Sequence, residues 1–346
     1  MIESAHGGYS EALAIERNSP KFTTVTADQA VIPGDQSALA AVGRESRIWI
    51  VFYAAVLLLC LVPFFLVIVI SFGEKIEGAS WRWAFDLSNY QRFFVGIDWP
   101  QSISFLYSQK LMHSFYYATI ASLLAVVFAF PFTYLLTRLS KVSQTLWLIF
   151  LLSTVSLSEV FVVMGWAVLL YNRSGLPMVL RETGITNLFK ELGWFQQFRD
   201  WGLANPRDFK FKTSVFATIL TMSYLVWPYA VILLYPALSR VDQQMIDAAR
   251  TMGATPVTVV RTVVLPATKV AVIGATLLLF VFLLGTYVAV TVFAAPRDQT
   301  LTISIYESIR GQTLNAPFGS AQAVVLLLVA GCLLWLSKWL TGLKDK

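Results

Sequence analysis

The sequence predicts an all-α integral membrane fold with six transmembrane helices. Apolar residues make up 57% of the 346-residue chain and charged residues only 13%, where a soluble domain carries roughly 25% charged residues. So little charge cannot cover a water-facing surface of this size, which makes lipid the expected solvent. Six stretches also reach the length of about 20 apolar residues that a hydrocarbon layer of about 30 Å demands. Backbone groups in lipid have to be bonded within their own segment, so each such run should be helical.

Residues 1–47 hold Pro20, Pro33 and many small polar residues. They lack the basic start, short apolar core and cleavage site of a signal peptide, and read as a disordered cytoplasmic tail. A short helix is allowed over 10–17. The transmembrane domain then occupies 48–346. Its first run, 48–72, has no charge. The second lies between Lys110 and Arg138. The third, 145–171, contains one acid, Glu159, and the fourth lies between Lys212 and Arg240. The fifth is 270–296 and the sixth 319–337. Pro63, Pro131 and Pro228 lie inside these runs and are expected to kink them.

Six crossings place both termini on one side. Lys and Arg divide evenly, 13 on each set of loops, so counting does not orient the chain. The shortest loop, 138–144, has Arg138 and Lys141 and no acid; Arg44 and Arg47 precede the first run, and Lys338, Lys344 and Lys346 follow the last. These favour both termini in the cytoplasm. Loops 73–110, 172–212 and 297–318 are then external, and 138–144 and 240–269 internal.

Composition also narrows the chemistry. Cys60 and Cys332 lie inside apolar runs, and His6 and His113 are too few and scattered for a metal site. The net charge of +6 suits an anionic lipid surface, and no basic stripe points to nucleic acid. No nucleophile–base or paired-carboxylate constellation is readable, so no covalent catalysis is expected. A G-x-x-x-x-G-K-[ST] loop is missing too, so this chain cannot cradle ATP phosphates and needs no cofactor of its own.

The most informative stretch is 240–269, RVDQQMIDAARTMGATPVTVVRTVVLPATK. Val241, Met245, Ala248, Ala249 and Met252 recur at helical spacing and predict a short amphipathic helix. Gly253 suits the left-handed residue after a helix end. Thr255 then offers an N-cap and Pro256 a first helical position. A second helix over 257–264 should stop near Pro266. Ala248 and Ala249 are expected at the surface, where small residues admit another backbone. Asp247 offers a carboxylate to a cation or to backbone N–H groups.

Asp247-Ala248-Ala249, Gly253 and Val263-x-Leu265-Pro266 resemble the EAA motif of ABC importer permeases. That motif reads E-A-A, three residues, Gly, nine residues, then a β-branched residue, any residue and Leu-Pro; the spacing agrees at every step, with Asp for Glu. The wider resemblance, from about residue 48 onward, is to spermidine/putrescine-type permeases, especially their B-subunit branch. It rests on Leu87-Ser88-Asn89-Tyr90, Ser158-Glu159-Val160 with Gly165-Trp166, Gly285-Thr286-Tyr287-Val288 and Pro317-Phe318-Gly319. That family often has an Arg shortly after the Ser-Glu, where Val162 stands here.

The resemblance implies a type I importer architecture in the bacterial inner membrane, with 48–346 as the permease domain. It implies a coupling role for Asp247, Ala248, Ala249, Gly253, Leu265 and Pro266. The implied partners are an ATPase dimer that binds ATP and Mg, a second permease chain and an external solute-binding protein, serving a polyamine or related small cation. An opine, phosphonate, thiamine or chelated iron is the alternative solute. A self-contained secondary transporter would need coupling-ion sites and often an inverted repeat, and a membrane scaffold leaves the loop pattern unexplained.

Glu159 is the only acid inside a run. A charge at mid-bilayer costs about 2.5–3.5 kcal/mol on insertion scales, so it is a candidate to attract a cation. It reads equally well as a Glu near the external helix end, bonded to Ser156, Ser158 or backbone. Trp166, Tyr224, Trp227 and Tyr287 offer aromatic faces for ammonium groups, although most membrane aromatics serve packing or interface anchoring. Trp194, Phe195, Phe198 and Trp201 in loop 172–212 suit an interfacial helix or a docking surface.

Overall fold

The computed structural model describes residues 35–76, 81–96, 99–311 and 314–342, with side chains between Trp49 and Trp335. The tail before residue 35, with the stretch 10–17, lies outside the described residues. The chain divides at Pro63 into two compact units.

Helix α1, Asp35–Ser71, begins within the stretch expected to be disordered and runs through Pro63. Its part from Trp49 to Ser71 is apolar enough to cross a membrane, and Leu57, Leu58, Leu59 and Leu61 are exposed, as side chains facing lipid would be.

In the second unit a two-stranded hairpin, β1 (Gly73–Glu74) and β2 (Arg82–Trp83), follows α1. Helix α2, Ser88–Val95, then folds back on the α1 end. Asn89 Nδ2 donates to Ser71 O at 3.2 Å and Gly73 O at 2.9 Å, and the hydroxyls of Ser71 and Tyr90 pair at 2.7 Å. The bond to Ser71 O occupies a carbonyl that the helix end leaves open, and the others tie α2 to the same corner, which gives the Leu87–Tyr90 motif a physical reason.

Three helices form the centre: α3, Leu106–Leu136; α9, Val215–Ser239; and α12, Leu265–Leu284. Buried Ala118, Ala121, Ala125 and Ala129 line α3, and such small side chains let backbones approach closely where lipid gives no hydrophobic drive. Helix α9 answers with Ala217, Val226, Ala230 and Leu234 in the same core. Hydroxyls bond back along their own helices, Thr133 to Ala129 O at 2.7 Å and Thr268 to Val264 O at 2.9 Å, so these two need no water.

Two expected spans differ from the sequence reading. The third breaks into α4, Lys141–Val155, and α5, Glu159–Leu169, bent by 90°. Ser158 is extended (φ −61°, ψ 139°) and Glu159 opens the new helix; Ser followed by Glu is a helix-start signature even inside an apolar run. The fifth begins earlier and ends earlier than 270–296. Helix α11, Pro256–Val259, passes through a π-helical segment, Val260–Val264, into α12. Pro266 therefore does not stop the helix: a wider turn before it takes up the missing N–H. Helix α12 ends at Leu284, and after Gly285-Thr286-Tyr287 a separate α13, Val288–Phe293, follows.

Between α5 and α9 three short helices, α6 (Leu176–Glu182), α7 (Ile185–Glu191) and α8 (Phe195–Asp200), surround their own core of Phe195, Ala204 and Phe209. Phe195 is therefore interior, while Trp194 and Trp201 are exposed. The chain closes with α14, Leu301–Arg310, and α15, Ala316–Gly342. A Cβ on Gly319 would stand 2.5 Å from Ile309 Cγ1, so glycine sets how closely these two helices pack. Among the described residues five helices are long and apolar enough to cross a membrane, and the bent pair stands where a sixth was expected.

Candidate functional sites in the broken span and the polar loop

The polar loop folds largely as its residue types dictate. Helix α10, Gln243–Thr251, starts where Asp242 Oδ1 accepts from Gln244 N at 2.9 Å. Gly253 sits at φ +86°, a conformation that costs an L-residue about 1–2 kcal/mol. Thr255 Oγ1 accepts from Thr258 N at 3.3 Å with Pro256 in the first helical turn. Asp247 Oδ1 accepts from Gln243 Nε2 at 2.9 Å and lies 4.0 Å from Arg250 Nη1.

The inward face of α10 is displaced from the expected one. Ile246 (0% exposed) and Ala249 (7%) face the body with Val259 and Val264, while Met245, Met252 and Val257 point outward. Met252 is 83% exposed. Of the expected surface alanines, Ala248 is exposed and Ala249 buried. Positions 245, 248 and 252 and positions 246, 249 and 253 fit the same period one residue apart, so spacing alone does not choose between them. Leu265 and Pro266, at the far end of the motif, are exposed.

The second site lies at the break in the third span. Glu159, Val162 and Trp166 fall on one face of α5. Trp166 meets Tyr224 of α9 edge to face, ring centroids 5.3 Å apart. Two adjoining clefts share Thr154, Leu157, Val162 and Tyr224. The narrow one, about 50 Å³, adds Glu159, Pro228, Tyr229 and Phe282; the wider, about 360 Å³, adds Trp166 and Leu169. Glu159 Oε1 is buried without a hydrogen-bond partner. The backbone N–H groups of Val288 and Ala289, where α13 begins, face the carboxylate. Two helix breaks thus meet around one acid, and neither Ser156 nor Ser158 bonds to it.

The five aromatic and acidic candidates do not gather in one place. Glu159, Trp166 and Tyr224 line the clefts. Trp227 packs against Phe132, rings 5.0 Å apart, with Trp147 beyond. Tyr287 pairs with Tyr306 at 4.4 Å. Sequence reading missed Tyr229 and Phe282, whose rings lie 5.5 Å apart at the narrow cleft; in a chain with 14% aromatics nothing sets them apart. A carboxylate oxygen without a donor, walled by aromatic rings, suits a cationic group. Among the described residues no cluster of metal-ligating side chains occurs.

No family model matches the chain. It is similar to the spermidine/putrescine transport system permease protein PotB of Escherichia coli, 27% identical over 275 residues, covering 79% of this chain and 88% of the relative. The protein of the same name from Haemophilus influenzae is 23% identical over 83% of this chain and 88% of its own length. A probable molybdenum ABC transporter permease of Haloferax volcanii is 28% identical over 63% of this chain and 70% of that protein. Among solved structures, a bacterial ABC transporter importing the acidic polysaccharide alginate matches over 90% of this chain and 100% of that one, with a TM-score of 0.60 at 12% identity. The alginate transporter in complex with its pentasaccharide-bound periplasmic protein matches with a TM-score of 0.59 at 11% identity.

Proposed function

We propose that this chain, a permease subunit of the ABC importer type and not itself an enzyme, carries a polyamine or related small cation across the bacterial inner membrane. The observation that carries the reading is the loop of α10 and α11. The residues of the EAA-like motif form two short helices hinged at a left-handed Gly253. They leave Met245, Met252 and Val257 exposed on a polar stretch that has no lipid to face. Exposed apolar side chains on such a projection fit a docking surface.

The partner is a separate ATPase dimer holding ATP and Mg, since the sequence has no phosphate-binding loop of its own. A second permease chain and an external solute-binding protein complete the assembly. Closure of the ATPase dimer moves the loop, and the loop turns the helices so that the pathway opens alternately outward and inward. Residues 1–47 remain a cytoplasmic extension of the permease domain, 48–346.

The solute class rests on Glu159 with Trp166, Tyr224 and Tyr229, which suit an ammonium group, and on the PotB relatives. Val162 in place of the family's Arg, together with the Haloferax relative named for molybdenum, supports the second reading of another small solute. The test is purification of the chain with its co-encoded ATPase, second permease and binding protein, then reconstitution in proteoliposomes. ATP-dependent putrescine uptake is expected. An ATPase that does not co-purify sinks the importer reading, and uptake of other solutes with no competition by putrescine sinks the polyamine one.

A further inference from the structure

The turn between α3 and α4 is held at two points. Gln144 is only 5% exposed. Its Nε2 donates to Thr137 O at 3.1 Å and Leu139 O at 2.8 Å, closing the turn on itself. Its Oε1 accepts from Tyr235 Oη, on the last turns of α9, at 2.9 Å. Both amide hydrogens and the carbonyl are thereby used, so this side chain has one satisfied geometry in a buried site.

The second hold lies on the other side of the Arg240 turn. The Arg138 guanidinium sits over the Tyr134 ring, 5.0 Å from its centroid, and Nη1 donates to Gln243 Oε1. Gln243 Nε2 in turn donates to Asp247 Oδ1 at 2.9 Å. A chain of side chains thus runs from Asp247 of the docking loop to the α3–α4 turn. From there α4 extends 15 residues, about 22 Å at helical rise, and ends at the break before Glu159.

We infer that the α3–α4 turn is a second mechanical arm of the docking loop, with Arg138, Gln243, Gln144 and Tyr235 as positioning residues. Movement of α10 then reaches the cleft along α4 as well as through α9 and α12. Two bonds, one on each side of Arg240, fix the turn, one against the end of α9 and one against the loop, which resists rotation as a single bond would not. The inference rests on the permease reading and adds a route to it.

The test uses the full chain in its reconstituted complex and reads putrescine taken up per ATP hydrolysed. Arg138→Ala, Gln243→Ala and the double variant are compared, with Tyr235→Phe removing the other hold by one hydroxyl. Each single variant is expected to lower the ratio about 5-fold. Because Arg138 and Gln243 act through each other, the double variant should fall no further than the lower single one. Unchanged ratios, or losses that multiply in the double variant, would overturn the inference and leave the importer reading standing. An unmodified complex without ATP-driven uptake would remove both.

Discussion

Glu159 opens a helix inside the apolar part of the chain, and its Oε1 has no donor. An isolated carboxylate there is costly unless a cation or oriented dipoles compensate it. The N–H groups of Val288 and Ala289 supply dipoles, and the carboxylate lines a cleft of about 50 Å³. Glu159→Gln keeps the shape and removes the charge. It should raise the half-saturating putrescine concentration at least about tenfold, equivalent to about 1.4 kcal/mol, measured as uptake kinetics in proteoliposomes. Gly253 shows a different residue-scale constraint. A Cβ there would meet nothing within 4 Å, so a substitution suffers from φ +86° rather than from a clash. Gly253→Val should therefore cost more than the roughly 1–2 kcal/mol of an ordinary left-handed residue. Uptake per ATP should fall while the buried core around α3 and α9 keeps its unfolding midpoint.

At the scale of elements, the helix ends and breaks do more than connect spans. Asn89 of α2 holds the last carbonyl of α1 and the carbonyl of Gly73 in β1. Asn89→Ala leaves them without that donor in a buried place, at a cost of about 1–3 kcal/mol, readable as a lower unfolding midpoint in detergent with the ATPase still bound. Other ends are closed by side chains from neighbouring elements. Thr302 Oγ1 donates to Leu284 O at 2.8 Å where α12 stops, and Leu301 N donates to Ser114 Oγ at 2.9 Å. The ends of α12 and α14 are therefore fixed by tertiary partners, which the apolar runs of the fifth and sixth spans do not announce. Ser158-Glu159 was a legible start signal for α5, outweighed by the uninterrupted hydrophobicity around it. The π segment before Pro266 had no such signal, because Val-Arg-Thr-Val-Val reads equally well as an ordinary turn of helix.

At the scale of the whole molecule, the second unit carries a polar loop at one end, a cleft at two helix breaks, and a small aromatic domain of α6 to α8 in between along the chain. The loop's outer face gives the most direct test of assembly. Met252 is 83% exposed, so Met252→Asp should leave the unfolding midpoint unchanged while weakening ATPase retention about tenfold or more, about 1.4 kcal/mol. Equal retention would mean that this face docks nothing. The sequence by itself determined the membrane class, the apolar runs, and the helix–glycine–helix plan of the polar loop. Each of those depends on local chemistry: hydropathy over twenty residues, the φ that only glycine adopts freely, and the cap offered by Thr255. Only the tertiary structure decided that α10 turns Ile246 and Ala249 inward, that the third span bends by 90°, and that Glu159 lines one cleft with Tyr224 and Tyr229 while Trp227 and Tyr287 pack elsewhere. Those outcomes depend on which neighbour each face meets, and a periodic pattern in one segment holds no record of the segments packed against it.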